Sequence, residues 1–166
     1  MFKDGFALLV TAALLTVAPS MAFAQGLVTQ KALSLDGAQA IAQGVVEKCR
    51  ADGYRVSATV IDGNGTLKAF LRDDGAPPHT IDFSRRKAFT ALTFRRTSAE
   101  TGKAWAANPP APNIEGTVGT AGGVPIKVGN EVIGAVGVSG APGGDKDEAC
   151  ASAGIAKIAD QLKAAP

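Results

Sequence analysis

Histidine and cysteine are scarce in this chain of 166 residues, and their scarcity excludes several kinds of site. His79 is the one histidine of the sequence, so metal centres built from several histidines cannot form. The two cysteines, Cys49 and Cys150, lie far apart in the sequence. They show neither the CxxC spacing of a zinc site nor the CxxCH motif of covalent haem attachment.

The motifs of several common protein classes are also missing. No GxSxG elbow is present, and a Ser-His-Asp triad would have to use His79. The glycine-rich loop 139–144 lacks the Lys-Ser/Thr pair of a P-loop. The formal net charge is +2, without a dense Lys/Arg tract, which argues against nucleic-acid binding. These absences argue against a classical hydrolase, a P-loop enzyme and a nucleic-acid-binding protein.

The N-terminal residues predict an export signal. Lys3 gives a short charged start, residues 6–18 form an apolar run, and residues 22–24 supply a small-x-small cleavage pattern. The run is too short to span a bilayer, which favours removal over an uncleaved anchor. We therefore expect a cleaved signal peptide at 1–24, a single domain at 25–166, and a periplasmic or secreted protein without a membrane contact after cleavage.

Export makes a disulfide between Cys49 and Cys150 a candidate, because paired cysteines in an oxidising compartment are more often bridged than free. Cys49 lies on the apolar stripe of the first predicted helix, whereas Cys150 lies toward the edge of the last helix's stripe. The position of Cys150 argues against a bridge, but terminal helices packed side by side would bring the two cysteines close. Bridged and free states both stay open.

Hydrophobic periodicity predicts the order helix, hairpin, two helices, hairpin, helix. Asp36 with Gln39, Thr97 with Glu100, and Asp145 with Glu148 resemble capping boxes that begin helices, and Thr80 is the expected cap of a further helix ending near Arg95. The predicted strands are 55–62, 66–72, 124–128 and 131–138. Because hairpins pair antiparallel, the expected class is α+β, with helices covering an antiparallel sheet.

Glycines are concentrated in the last predicted strand and in the loop after it. Gly134 and Gly137 remove side-chain bulk from the strand, which predicts that another element packs very close to its backbone. The amides of loop 139–144 could bind an anion at the start of the last helix. Asp145 would repel that anion if it caps the helix, so we interpret the loop as a structural turn.

Five motifs in this order resemble the GlcG/HbpS-like family, which is related to the C-terminal domain of PduO-type proteins. The motifs lie at 60–65, 72–76, 87–91, 122–126 and 134–140 with Asp145, and the match covers about 33–162. The resemblance implies a profilin- or PAS-like α/β/α domain with a five-stranded antiparallel sheet, often assembled into homo-oligomers. Studied members bind haem, and some are described as haem-degrading or as extracellular partners of redox-sensing systems.

The resemblance implies non-covalent, b-type haem or a related tetrapyrrole as the ligand. Candidate binding residues are His79, Phe83, Arg85, Lys87 and Arg72. His79 is the candidate iron ligand, since haem iron in proteins is usually held by a side chain of this kind. Phe83 offers aromatic surface, and the three cations could bind the propionates.

Structural roles are the alternatives for the same residues. His79 would then be an exposed loop histidine, and Lys87 would form a salt bridge with Asp62 or Asp73. A carboxylate-only iron site is a further alternative, built from Asp73, Asp74 and Asp82.

The predicted function is an exported haem-binding protein, in haem sequestration or redox sensing with a sensor partner. One alternative is a peroxide-dependent haem-degrading enzyme, although no residue is a distinctive oxygen-activating group. Another is a non-haem accessory protein that binds small carboxylates and forms oligomers. Enzymatic activity is left open.

Overall fold

The computed structural model describes Gly26 and residues 28–108 and 114–164. The predicted signal peptide lies outside the described residues. Residues from Lys31 onward form one compact unit. No helix in the described ranges combines the length and the apolar character needed to cross a membrane.

The described residues form five helices and four strands. They are α1 (Leu35–Ala51), β1 (Ser57–Asp62), β2 (Leu67–Arg72), α2 (His79–Phe94), α3 (Ser98–Ala107), β3 (Gly123–Val128), β4 (Glu131–Ser139), α4 (Gly144–Ala156) and α5 (Ala159–Ala164). The strands form one antiparallel sheet in the order β2-β1-β4-β3. The predicted α+β class and both hairpins are confirmed, but the sheet has four strands rather than five.

Helices cover the two faces of the sheet, because alternate residues of the central strands point to opposite sides. Val60 and Val136 belong to the larger core, which α1 and α4 complete on one face. Ile61 and Ala135, one position along each strand, pack instead with Ala88 and its neighbours in α2 on the other face. Both central strands are therefore buried from both sides.

Two predicted helix starts have different outcomes. The predicted capping box of α3 is confirmed, since Thr97 and Glu100 each accept a hydrogen bond from the other's backbone amide. The prediction for α1 is wrong: Ser34 is the N-cap and accepts from the amide of Gly37, while Asp36 lies in the first turn. Asp36 stabilises that turn through its charge, as an acid near a helix N-terminus does.

The last predicted helix is two helices. α4 ends at Ala156 and α5 begins at Ala159. The N-cap of α4 is Gly143 in an extended conformation, so the predicted cap at Asp145 is wrong. Asp145 lies in the first turn of α4 instead.

One of the two glycines of β4, Gly137, allows α2 to approach the sheet closely, as the sequence predicted. A Cβ atom on Gly137 would lie 2.0 Å from the carbonyl oxygen of Ser84 and 2.5 Å from the amide of Ala88. Both atoms belong to the backbone of α2, which cannot move aside as a flexible side chain would. Only glycine therefore fits at this crossing.

We expect Gly137→Ala to lower the free energy of unfolding by at least about 1–3 kcal/mol, the usual cost of overpacking a core. Gly63→Ala is the control, because a Cβ at Gly63 would lie at ordinary contact distance, 3.5 Å from the nearest atom. Urea unfolding of both variants checks the expectation. Equal stability of the two variants would show that α2 does not rest on the backbone of β4.

A disulfide joins the two helices of the larger core. Cys49 in α1 and Cys150 in α4 are bonded to each other, 101 residues apart in the sequence. Both are completely buried, so the position of Cys150 toward the edge of its predicted stripe did not prevent the bridge. Packing of α1 against α4 brings the two residues together, as expected for terminal helices lying side by side.

Candidate functional site

A cleft of about 440 Å³ separates the N-terminal half of α2 from loop 139–144. His79, Phe83 and Lys87 line the helical wall. They are four residues apart, so their side chains lie along one face of α2. The facing wall is the end of β4 and the glycine-rich loop, which continues into α4.

The inner end of the cleft is a buried ion pair. Lys87 Nζ donates to Asp147 Oδ2 at 2.7 Å and to the carbonyl oxygen of Val138 at 3.0 Å. It also lies 5.1 Å from the ring centroid of Phe83. Two of the three ammonium donors are therefore engaged by protein oxygens, and the ring of Phe83 lies near the same charge. Lys87 therefore joins α2 to β4 and α4 rather than offering a free cation to a ligand.

The salt bridge predicted for Lys87 exists, but both predicted partners are wrong. The partner is Asp147, not Asp62 or Asp73. That Lys87 would have a partner was predictable from the sequence, because it lies on the same buried stripe of α2 as Ser84 and Ala88. A lysine on a buried stripe requires a carboxylate partner. Nothing in the local pattern identified Asp147, a residue of the cleft that the sequence analysis missed.

Asp147 also holds the facing wall of the cleft. Its second oxygen, Oδ1, accepts from the amide of Ala141 at 3.0 Å. Burial raises the pKa of the Asp147 carboxyl above its ordinary value, and the hydrogen bond from Lys87 acts in the opposite direction. One carboxylate thus links the glycine-rich loop, α4 and α2.

His79 is the first residue of α2 rather than a loop residue, and its side chain is exposed at the outer end of the cleft. The loop before it is held by Arg72, whose Nε donates to the carbonyl oxygen of Ala76 at 3.0 Å. Arg72 Nη2 donates to the same oxygen. Arg72 does not line the cleft, and it fixes the loop that leads to His79.

The beginning of that loop is fixed by a second ion pair. The buried Asp73 accepts from Arg50 Nε at 2.9 Å and from Arg50 Nη2 at 2.6 Å. Arg55 Nε lies 3.9 Å from the other carboxylate oxygen. The hydrogen bonds from Arg50 lower the pKa of Asp73 below its ordinary value. The ion pair between Asp73 and Arg50 thereby attaches the beginning of the loop to α1.

Arg85 lies outside the cleft. It pairs with Asp82 at 3.1 Å on the exposed side of α2. It borders a separate depression together with Arg86 and Thr117. The structure therefore brings together His79, Phe83 and Lys87 of the five predicted residues, whereas Arg72 and Arg85 lie elsewhere.

The carboxylate-only iron site is not assembled. In the described part of the chain, no three His, Cys, Asp or Glu side chains gather as a metal ion would require. Asp73 is buried and bonded to Arg50, while Asp82 pairs with Arg85 on another surface.

Comparison with known proteins agrees with this architecture. A family model described as "Haem degrading protein HbpS-like" matches residues 33–156. Protein GlcG of Escherichia coli strain K12 is 34% identical over 118 residues, which cover 67% of this chain and 84% of GlcG.

Two solved structures share the fold. A double mutant of HbpS from Streptomyces reticuli is 39% identical, with a TM-score of 0.77, over 84% of this chain and 96% of that chain. The structure titled "PduOC:Heme Complex" is 22% identical, with a TM-score of 0.71, over 77% of this chain and 96% of that chain, and this likeness concerns the fold alone. The family model spans most of the sequence, and the resemblance inferred from five motifs is confirmed. The chain belongs to the HbpS-like family.

Proposed function

We propose that this chain is an exported protein that binds haem non-covalently in the cleft between α2 and loop 139–144, with His79 as the iron ligand. The observation that carries the proposal is the position of His79. The one histidine of the sequence shares a cleft wall with the aromatic ring of Phe83, in a chain of the HbpS-like family.

The residues of the cleft fit such a ligand. His79 supplies an imidazole nitrogen, the kind of donor that commonly holds haem iron. The half-buried Phe83 offers an apolar face on the same wall. The facing wall contains glycines 140, 143 and 144, which leave room for a flat molecule near the backbone. The cleft volume, about 440 Å³, lies within the range of small-molecule sites, roughly 300–1,000 Å³.

Bound haem would supply an iron centre capable of redox and oxygen chemistry. The chain's own residues have simpler roles. His79 would bind and orient the ligand, Phe83 would exclude water from one face, and the Lys87–Asp147 pair would hold the two walls at a fixed separation.

Export is part of the proposal. It is supported by the charged start, the apolar run and the cleavage pattern of residues 1–24. A disulfide between Cys49 and Cys150 is typical of proteins in an oxidising compartment. The homo-oligomer and the sensor partner implied by the resemblance stay predictions.

We expect hemin to give a saturable Soret shift with the wild-type protein, and we expect His79→Ala to raise the Kd at least about tenfold. The physical reason is loss of the iron–nitrogen bond. The measurement is an absorbance titration of the mature chain, with circular dichroism to verify the fold. Arg85→Ala is the matched control, because Arg85 lies on the same helix but outside the cleft.

Two results would count against this site. A response that does not saturate would exclude specific binding. A saturable response that is unchanged in His79→Ala but lost in Arg85→Ala would move the ligand to the depression beside Arg85 and Thr117.

The family description favours a second function, peroxide-dependent breakdown of the bound haem. Adding hydrogen peroxide to the complex tests it. Loss of the Soret band together with released iron and a defined linear tetrapyrrole would indicate catalysis. Loss of the band without a defined product would indicate bleaching and leave haem binding as the function.

A further inference from the structure

We infer that the hydroxyl of Ser139 and the first-turn amides of α4 form a carboxylate-binding subsite inside this cleft. The inference rests on the proposed function in one respect, that the natural carboxylates would be the propionates of haem. The recognition chemistry itself belongs to the chain and is testable without haem.

Ser139 has a hydroxyl that faces the cleft and has no hydrogen-bond partner among the described residues. On the sheet face that packs against α2, two hydroxyls of β1 are paired with hydroxyls of α2: Ser57 with Thr80, and Thr59 with Ser84, both at 2.7 Å. Ser139 lies directly opposite Ser57 in the sheet and therefore shares this face. It is 3% exposed and lines the cleft, and among the described residues its hydroxyl makes no hydrogen bond.

The difference between these hydroxyls has a geometric cause. α2 begins at His79, so it covers Ser57 and Thr59 but leaves Ser139 facing the cleft. Because the Ser139 hydroxyl faces the cleft and no described residue bonds to it, it is free to donate to a carboxylate oxygen of a ligand.

The start of α4 supplies further donors on the same cleft wall. Its N-cap, Gly143, has no side chain to accept a hydrogen bond, and the amides of Lys146 and Asp147 bond to its carbonyl oxygen. In the described structure the amides of Gly144 and Asp145 have no acceptor. The N-terminus of a helix of 13 residues carries a partial positive charge, which favours an anion there.

The acidic residues nearby do not occupy the cleft with a free negative charge. Asp147 is neutralised by Lys87 at 2.7 Å. Asp145, expected from the sequence to cap the helix and repel an anion, is exposed and borders a separate depression with Lys103 and Glu148. Its Oδ1 would lie 2.4 Å from a Cβ on Gly143, so this side chain must turn away when an anion binds the first-turn amides. The interpretation of loop 139–144 as a purely structural turn is therefore incomplete.

A carboxylate matches these donors because its two oxygens can accept from a hydroxyl and from backbone amides at the same time. Phe83 on the opposite wall adds a preference for an aromatic or apolar body. The subsite thus selects a flat apolar molecule with a short carboxylate arm.

3-Phenylpropionate is the haem-free probe, and its uncharged amide is the control ligand. We expect the carboxylate to bind the wild-type protein in an NMR titration and the amide to bind at least about tenfold more weakly. Ser139→Ala should weaken carboxylate binding by a similar factor. Ser152→Ala, an exposed position of α4 facing the separate depression, should leave it unchanged. Equal binding of acid and amide, or binding unaffected by Ser139→Ala, would overturn the subsite.

Gly143→Ser separates recognition from stability. A Cβ at position 143 would lie 2.4 Å from Asp145 Oδ1, the end of an exposed side chain that can move aside. The new hydroxyl would then accept from first-turn amides and cap α4, so Tm should rise by about 1 °C. The same hydroxyl would compete with the ligand, so carboxylate binding should weaken. A loss of binding through damage to the fold would instead lower Tm. Unchanged binding in a stabilised variant would exclude the α4 amides from the subsite.

Hemin and its dimethyl ester connect the subsite to the proposed function. We expect the ester to bind wild type about tenfold more weakly than hemin, and Ser139→Ala to remove this difference. If both bind alike and 3-phenylpropionate does not bind, the subsite is wrong while haem binding stands. If neither porphyrin binds but 3-phenylpropionate binding depends on Ser139, the subsite stands and the haem proposal fails.

Discussion

Lys87→Met should lower the free energy of unfolding by about 3–5 kcal/mol, because it leaves the carboxylate of Asp147 buried without its partner. The side chains of both residues are almost fully buried, with 2% and 4% exposure. Methionine keeps most of the side-chain volume of lysine, so the loss of stability measures the effect of the unpaired charge and not that of a cavity. Chemical denaturation at neutral pH, followed by circular dichroism, measures it.

The destabilisation by Lys87→Met should shrink as the pH falls. Burial already raises the pKa of Asp147 in the folded protein. Removing the ammonium group raises it further, because a nearby positive charge favours the ionised carboxyl. A carboxyl with a raised folded pKa favours the fold at low pH, where it is protonated, and that contribution is lost as the pH rises through the folded pKa. The variant is therefore least stable near neutrality.

The double variant Lys87→Met/Asp147→Asn is the matched control. An asparagine oxygen can still accept from the amide of Ala141, and no buried charge remains. We expect it to recover most of the stability lost in the single variant and to lack the additional pH dependence. A single variant as stable as wild type at neutral pH would show that Asp147 reaches solvent there and that the cleft has no rigid inner end.

Patterns within one element were predictable from the sequence. The capping box of α3 and the two hairpins depend on residues close together in the chain, and these predictions are confirmed. The close approach at Gly137 was predictable because a glycine in a central strand has few other causes. The location of Arg85 outside the cleft was also predictable from the helical period. Arg85 follows Phe83 by two residues, and side chains two residues apart point to nearly opposite sides of a helix.

Contacts between distant elements were not predictable in the same way. Lys87 and Asp147 are 60 residues apart, and only the packing of α2, β4 and α4 brings them together. The same holds for Arg50 and Asp73, which join α1 to the loop before His79. The free hydroxyl of Ser139 depends on where α2 begins, and helix ends are the least certain part of a pattern. The site is therefore defined by tertiary packing, although its histidine was visible in the sequence.

Removing the disulfide should cost about 2–5 kcal/mol of unfolding free energy, toward the upper end because the bridge closes a loop of 101 residues. A crosslink of this span restricts the unfolded chain strongly, in the entropic account of disulfide stabilisation. The variant is Cys49→Ala/Cys150→Ala, measured by urea unfolding of the protein without reductant.

Reduced wild-type protein is the control that separates the crosslink from packing, since both sulfur atoms remain while the bond is broken. If the crosslink dominates, the reduced protein should lose nearly as much stability as the double variant, and reductant should leave the double variant unchanged. Because Cys49 and Cys150 are fully buried, any remaining difference reports the contacts of their sulfur atoms in the larger core. A reduced protein as stable as the oxidised one would show that α1 and α4 are held by packing alone.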